Sequence, residues 1–91
     1  MIEERAMTDE VTAQVEPKAL GLLVSRLREK QGLTTTALAK LVGISQAQIS
    51  RLENGKQGFR SSTLAKIADA LGFEAKVVFV AKDKNKADYE A

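Results

Sequence analysis

The 91-residue chain contains no cysteine, no histidine and no tryptophan, and only 4% of its residues are aromatic. Without cysteine, a disulfide framework and a thiolate metal site are excluded. Without histidine, the chain lacks the commonest general base and metal ligand, and its serines have no imidazole partner. These absences favour a protein that is not an enzyme and that needs no metal or cofactor.

Long apolar runs are also missing, since none approaches the roughly 20 residues needed to cross a membrane. The first ten residues, MIEERAMTDE, are acidic and lack the apolar stretch of a secretory signal. We therefore expect a cytoplasmic protein.

The net charge of +2 conceals an uneven distribution of charge. Residues 1–16 hold five acidic residues against Arg5, whereas residues 17–91 hold 13 Lys or Arg against seven Asp or Glu. A basic domain suits a polyanionic partner. The acidic first segment is predicted to be a flexible arm. The alternation of Val11, Ala13 and Val15 leaves open a short strand on the surface of a partner.

Apolar residues recur with helical spacing from Pro17, a residue that favours the first turn of a helix. The pattern predicts four helices. The first ends at a left-handed Gly32, the second runs from Thr35 to position 41 or 42, and the third covers residues 46–54. The fourth is capped by Ser61 or Ser62 and ends at Gly72. Inward positions are predicted at Leu20, Leu23, Val24, Leu27, Leu38, Leu41, Ile49, Leu52, Leu64, Ile67, Ala68 and Leu71.

The second and third helices are joined by a tight turn, Gly43-Ile44-Ser45, with small Ala39 where the two helices must approach each other. Gly43 can adopt a positive φ, and Thr34 and Ser45 are good N-caps. Apolar side chains stand at the positions that lock the two helices across each other. This combination predicts a helix-turn-helix unit.

The segment TTTALAKLVGISQAQISRLENGK resembles the Xre/Cro type of phage-repressor helix-turn-helix, whose skeleton is LTxxxLAxxxGISxxxISxxENG. The flanking LVSRLREKQGLT and SSTLAKIADALG are also similar, so the resemblance spans about residues 18 to 72. It implies a mainly α fold, a four-helix phage-repressor-like DNA-binding domain over residues 17–72. It also implies that Arg28 and Glu53 form an internal ion pair. One departure is Thr35, where many members have a glutamine that contacts the DNA backbone.

The third helix is predicted to read the major groove. Because Ile49 and Leu52 point inward, the opposite side of this helix is exposed. Glutamine can pair with adenine through two hydrogen bonds and arginine with guanine. We predict Gln46 and Arg51 as the main base readers. The secondary readers are Ala47, Gln48 and Ser50.

Polar residues around this helix are predicted to bind phosphates, which positions a protein on DNA without reading sequence. These residues are Thr34, Thr35, Asn54, Lys56, Gln57, Arg60 and Ser61. Plain surface charge is the alternative interpretation for Lys56 and Arg60.

After Gly72 the pattern changes to alternation, which predicts a β-strand over residues 73–81. A single strand leaves unpaired backbone donors and acceptors, so it needs a second strand. The simplest source is the same segment of a second subunit. We therefore predict a homodimer with two recognition helices about one DNA turn apart. The interface residues are Phe73, Ala75, Val77, Val78, Phe79 and Val80. Residues 82–91 are predicted to be a disordered tail.

Four helices followed by an apolar strand and a polar tail are similar to the Hip-type antitoxins. That resemblance implies a dimer that represses its own operon and binds a cognate toxin protein. The functional prediction is thus a sequence-specific DNA-binding transcriptional repressor that regulates its own operon, with an antitoxin role implied by the resemblance. The alternatives are a stand-alone Xre-type regulator, or a protein–protein interaction module on the same fold.

Overall fold

The computed structural model describes residues 10–83 and contains four helices in that range. They are α1 (Pro17–Lys30), α2 (Thr35–Val42), α3 (Gln46–Glu53) and α4 (Ser61–Ala70). This confirms the predicted four-helix, mainly α fold. None of the helices in the described range is long and apolar enough to cross a membrane.

Helix α1 begins as predicted, with Pro17 in its first turn. At its other end, Gly32 has φ +73°, and two backbone bonds close the turn, from the N–H of Gly32 to the carbonyl of Glu29 and from Leu33 to Arg28. This is the Schellman pattern, which satisfies carbonyls that the end of the helix leaves without partners. The close of α1 thus directs the chain immediately into α2.

The core is formed by one side of each helix. The side chains of Leu38 and Ile49 are fully buried, at 0% exposed. The other buried apolar residues are Val24, Ala39, Val42, Leu52, Ile67 and Leu71. Burying apolar surface of this kind contributes about 25 cal/mol per Å². The helix-turn-helix pair therefore supplies the centre of the core.

The turn between α2 and α3 has the expected geometry. Gly43 is left-handed, with φ +88°, and both Gly43 and Ile44 donate their backbone N–H to the carbonyl of Ala39. A residue with a Cβ would be strained at this φ. Ser45 then caps α3 by accepting a hydrogen bond from the N–H of Gln48 at 3.0 Å.

Two local predictions about the helices were wrong. Leu41 was expected to face inward but is 61% exposed, because Leu38, Ala39 and Val42 form the buried side of α2. The N-cap of α4 is Arg60, and neither Ser61 nor Ser62 caps it, since both lie inside the helix. Phe59, two residues before the helix, packs against the core.

The predicted strand is also absent from the described part of the single chain. Residues 73–80 form neither helix nor strand. Phe73 packs partly on its own core, whereas Val77 and Phe79 are 76% and 94% exposed. The remaining predicted interface residues, Ala75, Val78 and Val80, are exposed as well. The physical reason is that a β-strand requires a neighbouring strand for its backbone hydrogen bonds, and residues 10–83 supply none.

The sequence predicts a flexible arm over residues 1–16 and a disordered tail over residues 82–91. Residues 10–16 have no helix or strand, and Val15 is exposed. Residues 1–9 of the predicted arm and residues 84–91 of the predicted tail lie outside the described residues.

Candidate nucleic-acid interface

Helix α3 is held against α1 by a charged pair and a close backbone approach. Arg28 donates from Nε to Oε2 of Glu53 at 2.7 Å and from Nη2 to Oε1 at 3.1 Å. Its Nη1 donates to the carbonyl oxygen of Leu33 at 2.6 Å. The hydrogen bond to Glu53 raises the pKa of the Arg28 guanidinium above its usual value. Both charged groups therefore face inward and fix α3, which leaves its other side for contacts outside the chain.

The close approach occurs at Gly21 of α1. A Cβ at this position would collide with the carbonyl oxygen of Leu52 and would lie 2.6 Å from that of Glu53. Sequence reasoning did not select Gly21, although a glycine inside a helical pattern is a signal for close packing. The two helices can meet this closely only because α1 has no side chain there.

The five predicted base readers lie along α3 as the helical spacing requires. Gln46, Ala47 and Arg51 are exposed, and Gln48 and Ser50 are half-buried on the flanks of the same side. Ile49 and Leu52 are buried beneath them. The helix thus presents donors, acceptors and one small apolar side chain on a surface backed by rigid packing.

Gln46 is connected to the first residue of α2. Its Nε2 donates to Oγ1 of Thr35 at 3.0 Å. Thr35 is the position at which the sequence departs from the resemblance noted above, and its hydroxyl contacts α3. The contact leaves Oε1 of Gln46 and the second N–H of its amide for the pairing that adenine requires.

Arg51 is connected to the loop that follows α3. Its Nε donates to Oε1 of Gln57 at 3.0 Å. Sequence reasoning grouped Gln57 with the phosphate-binding residues and did not anticipate this contact. No local pattern signals it, because it depends on how the loop turns back along the helix.

The remaining predicted phosphate-binding residues surround α3. Thr34 caps α2 through its side chain, which accepts from the N–H of Ala37 at 3.0 Å. Asn54 ends α3 and donates from Nδ2 to the carbonyl of Ser50 at 2.8 Å. Lys56, Arg60 and Ser61 are exposed in the following loop and at the start of α4. The structure therefore gives Thr34 and Asn54 local roles and leaves the cations facing solvent.

Gly55 lies directly against Lys18 of α1. It has φ +71°, and a Cβ there would lie 2.8 Å from Cγ of Lys18 and 2.9 Å from its Cα. The N-terminal turn of α1 thus lies beside the end of the recognition helix. Lys18 and Gly55 are 37 positions apart in the sequence, so no local pattern predicts that they are in contact.

The helix-turn-helix geometry agrees with comparisons to known proteins. A family model described as a helix-turn-helix domain matches residues 19–78. The HTH-type transcriptional repressor RghR of Bacillus subtilis (strain 168) is 44% identical over 55 residues, which cover 59% of this chain and 41% of that protein. A competence pilus inhibition repressor of Acinetobacter baylyi (strain ATCC 33305 / BD413 / ADP1) is 36% identical over 61 residues, with coverages of 67% and 56%. The chain therefore spans about half the length of these relatives.

Solved structures extend the likeness beyond the helix-turn-helix unit. A chain of the HipA-HipB-O2-O3 complex is 28% identical, with a TM-score of 0.66, and the match covers 78% of this chain and 100% of that one. The family match covers well over half of the residues and spans all four helices except the first two residues of α1. The protein belongs to the helix-turn-helix domain family.

Proposed function

We propose that this protein is a sequence-specific DNA-binding transcriptional repressor that acts on its own promoter. The observation that carries the proposal is the exposed side of α3. Its two main predicted readers, Gln46 and Arg51, donate hydrogen bonds to Thr35 and Gln57, while Ile49 and Leu52 are buried beneath the helix. A rigid helix with oriented donors and acceptors suits base recognition in the major groove.

We assign base reading mainly to Gln46 and Arg51, with Ala47, Gln48 and Ser50 in secondary contacts. Phosphate contacts come from Thr34, Thr35, Asn54, Lys56, Arg60 and Ser61. The mechanism is occupancy, since a repressor bound at a promoter blocks access to it.

The repressor acts as a homodimer through residues 73–80. Val77, Val78, Phe79 and Val80 are 76–94% exposed in the single chain, and four consecutive apolar side chains in water are unfavourable. Pairing with the same segment of a second copy covers these side chains and supplies partners for the exposed backbone. Two recognition helices then face two half-sites on one side of the duplex.

The experiment that tests DNA recognition is fluorescence anisotropy with the DNA upstream of the gene. The purified full chain is titrated against this fragment and a scrambled fragment of equal length, over a series of salt concentrations. We expect tight, salt-dependent binding with clear preference for the upstream fragment. Equal, weak binding to both fragments would contradict autoregulation. Binding to neither, together with capture of a protein partner, would favour the interaction-module alternative.

A phosphate contact gives a different signature from a base contact. We expect Lys56→Ala to weaken binding to both fragments by a similar factor and to reduce the slope of log affinity against log salt by about 1. Lys30→Ala, which removes the same charge from the last turn of α1, is the matched control and should leave the slope unchanged. If the two variants behave alike, the effect is one of net charge and the Lys56 assignment is wrong.

A second candidate role, antitoxin activity, is supported by the likeness to a chain of the complex that contains HipA and HipB. In this proposal the dimer also binds a toxin encoded beside it. The test is co-expression with the product of the adjacent gene. Rescue of growth and co-purification would support an antitoxin. An adjacent product that is harmless and does not bind would leave a stand-alone regulator.

A further inference from the structure

The guanidinium of Arg51, one of the two main predicted base readers, is held by a residue of the loop that follows α3. Arg51 stands in the last turn of α3, and Gln57 stands in the loop that follows. Oε1 of Gln57 accepts from Nε of Arg51 at 3.0 Å, and within residues 10–83 this is the single hydrogen bond of that guanidinium. The Arg51 side chain is otherwise exposed.

The atom that Gln57 engages determines what Arg51 can still do. A guanidinium has a side edge, formed by Nε and one Nη, and an end edge formed by the two Nη atoms. The bond to Gln57 occupies Nε and so uses the side edge. The end edge keeps two parallel N–H donors, which match the O6 and N7 acceptors of guanine.

We propose that Gln57 is a positioning residue, which holds Arg51 so that its two Nη atoms read one guanine. This inference rests on the proposed function and replaces the phosphate contact that the sequence suggested for Gln57. A free arginine loses rotamer freedom when it binds, so a contact that restrains it beforehand reduces that loss. A neutral amide achieves this without cancelling the charge that attracts DNA.

A mutant cycle on the full chain tests the proposal. The probes are the upstream fragment and fragments in which each base pair is replaced in turn. We expect Arg51→Ala to lose about 5- to 150-fold of discrimination at one G·C pair, the range of a good bidentate contact. Gln57→Ala should lose about 3- to 10-fold at the same pair, as expected for one net hydrogen bond. In the Arg51→Ala background, Gln57→Ala should change nothing further.

The conservative variant separates positioning from phosphate binding. Gln57→Glu keeps an acceptor for Nε, so discrimination at the G·C pair should be retained while its negative charge weakens binding to every fragment. In the free protein, the Nε–H NMR signal of Arg51 should shift in Gln57→Ala and stay close to its parent position in Gln57→Glu. The unfolding temperature should be similar for the parent, Gln57→Ala and Gln57→Glu, because Gln57 lies in a surface loop.

If the parent protein still prefers its upstream fragment, two outcomes would overturn the Gln57 inference and leave the proposed function standing. One is a loss of affinity in Gln57→Ala that is equal for all fragments, and the other is full additivity of the two substitutions. A parent that shows no preference for its upstream fragment would overturn the proposed function as well. Intact discrimination in Arg51→Ala would show that a different residue reads the base, and the inference would fail with that assignment.

Discussion

At the scale of single residues, α1 and α3 are joined by the ion pair of Arg28 and Glu53. Their side chains are only 11% and 8% exposed, and two hydrogen bonds join them. Burying charges is costly, so such a pair matters chiefly when one partner is removed and the other is left without compensation. Without the Glu53 carboxylate, Arg28 would keep its hydrogen bond to the carbonyl of Leu33 and the exposed carboxylate of Glu29 at 3.7 Å.

We expect Glu53→Ala to lower the free energy of unfolding by about 3 kcal/mol. Glu29 provides the control, because its carboxylate also lies 3.7 Å from Nη2 of Arg28 but is 65% exposed. Glu29→Ala should cost less than about 1 kcal/mol, as exposed pairs do. Urea unfolding followed by circular dichroism measures both. Equal effects of the two variants would mean that burial does not set the strength of the pair.

A second residue-scale prediction concerns the close approach at Gly21. In an exposed helix, Gly→Ala stabilises by up to about 1 kcal/mol. Here the added methyl group meets the backbone oxygens of Leu52 and Glu53, which cannot move independently. We expect Gly21→Ala to destabilise by about 1–3 kcal/mol, as overpacking does.

Gly58 is the matched control for this substitution. A Cβ there would have no heavy atom within 4 Å, and the φ of Gly58 lies outside the left-handed region. Gly58→Ala should change the unfolding free energy by less than about 0.5 kcal/mol. If Gly21→Ala is as harmless as Gly58→Ala in denaturant titrations, α1 and α3 can separate more easily than the packing indicates.

At the scale of elements, the two helices of the helix-turn-helix begin differently from α4. Thr34 and Ser45 accept hydrogen bonds from the third residue of the helix that each precedes. In α4 the residue before the helix is Arg60, which makes no side-chain cap bond. Side-chain caps therefore mark the starts of α2 and α3, whereas α4 begins without one.

We expect Ser45→Ala to destabilise the protein by about 1 kcal/mol, the usual value of an N-cap. Ser61→Ala removes the same hydroxyl from the first turn of α4 and should be close to neutral for folding. Thermal unfolding distinguishes them, because 1 kcal/mol lowers Tm by about 4–8 °C in a domain of this size. A larger loss in Ser61→Ala than in Ser45→Ala would contradict this account of the helix starts.

At the scale of the whole molecule, the unpaired apolar segment determines the expected assembly. Phe79 is 94% exposed, and in the proposed dimer it is covered by a second copy. We therefore expect Phe79→Ser to shift sedimentation from dimer to monomer at micromolar concentration. The variant should retain its helical circular dichroism, because Phe79 makes no contribution to the core of the single chain.

Leu41→Ser is the control for this change, since it also exchanges an exposed apolar side chain for serine. It lies on α2, away from the proposed interface segment in sequence, and should leave the dimer intact. Dimers that persist in Phe79→Ser and dissociate in Leu41→Ser would relocate the interface to α2.

Much of the helical framework is predictable from sequence because it depends on local chemistry. Pro17, Thr34, Ser45 and Gly43 act within a few residues of their own positions, and the helix boundaries follow from them. The prediction that Leu41 is buried was wrong, because the identity of one residue does not determine which side of a helix is covered. Leu41 follows the apolar spacing of Leu38, yet α2 is too short for the pattern to indicate which edge of the stripe is covered.

The predicted strand failed for a related reason. Alternation in residues 73–80 indicates which conformation the side chains favour, but a strand is stabilised by hydrogen bonds to another strand. That partner is not part of residues 10–83. Phe73 packs against the core of the same chain, and this contact depends on the position of the C-terminal end of α4.

The sequence by itself determined the four helices, the turn at Gly43 and the exposed side of α3, because caps, glycines and apolar periodicity act over short distances. The tertiary structure alone decided that Gly21 lies against the backbone of α3 and that Lys18 lies beside Gly55. It also decided that Thr35 and Gln57 contact Gln46 and Arg51, the two proposed main readers. These contacts join residues from different elements, so they exist only after packing has fixed the distances between helices.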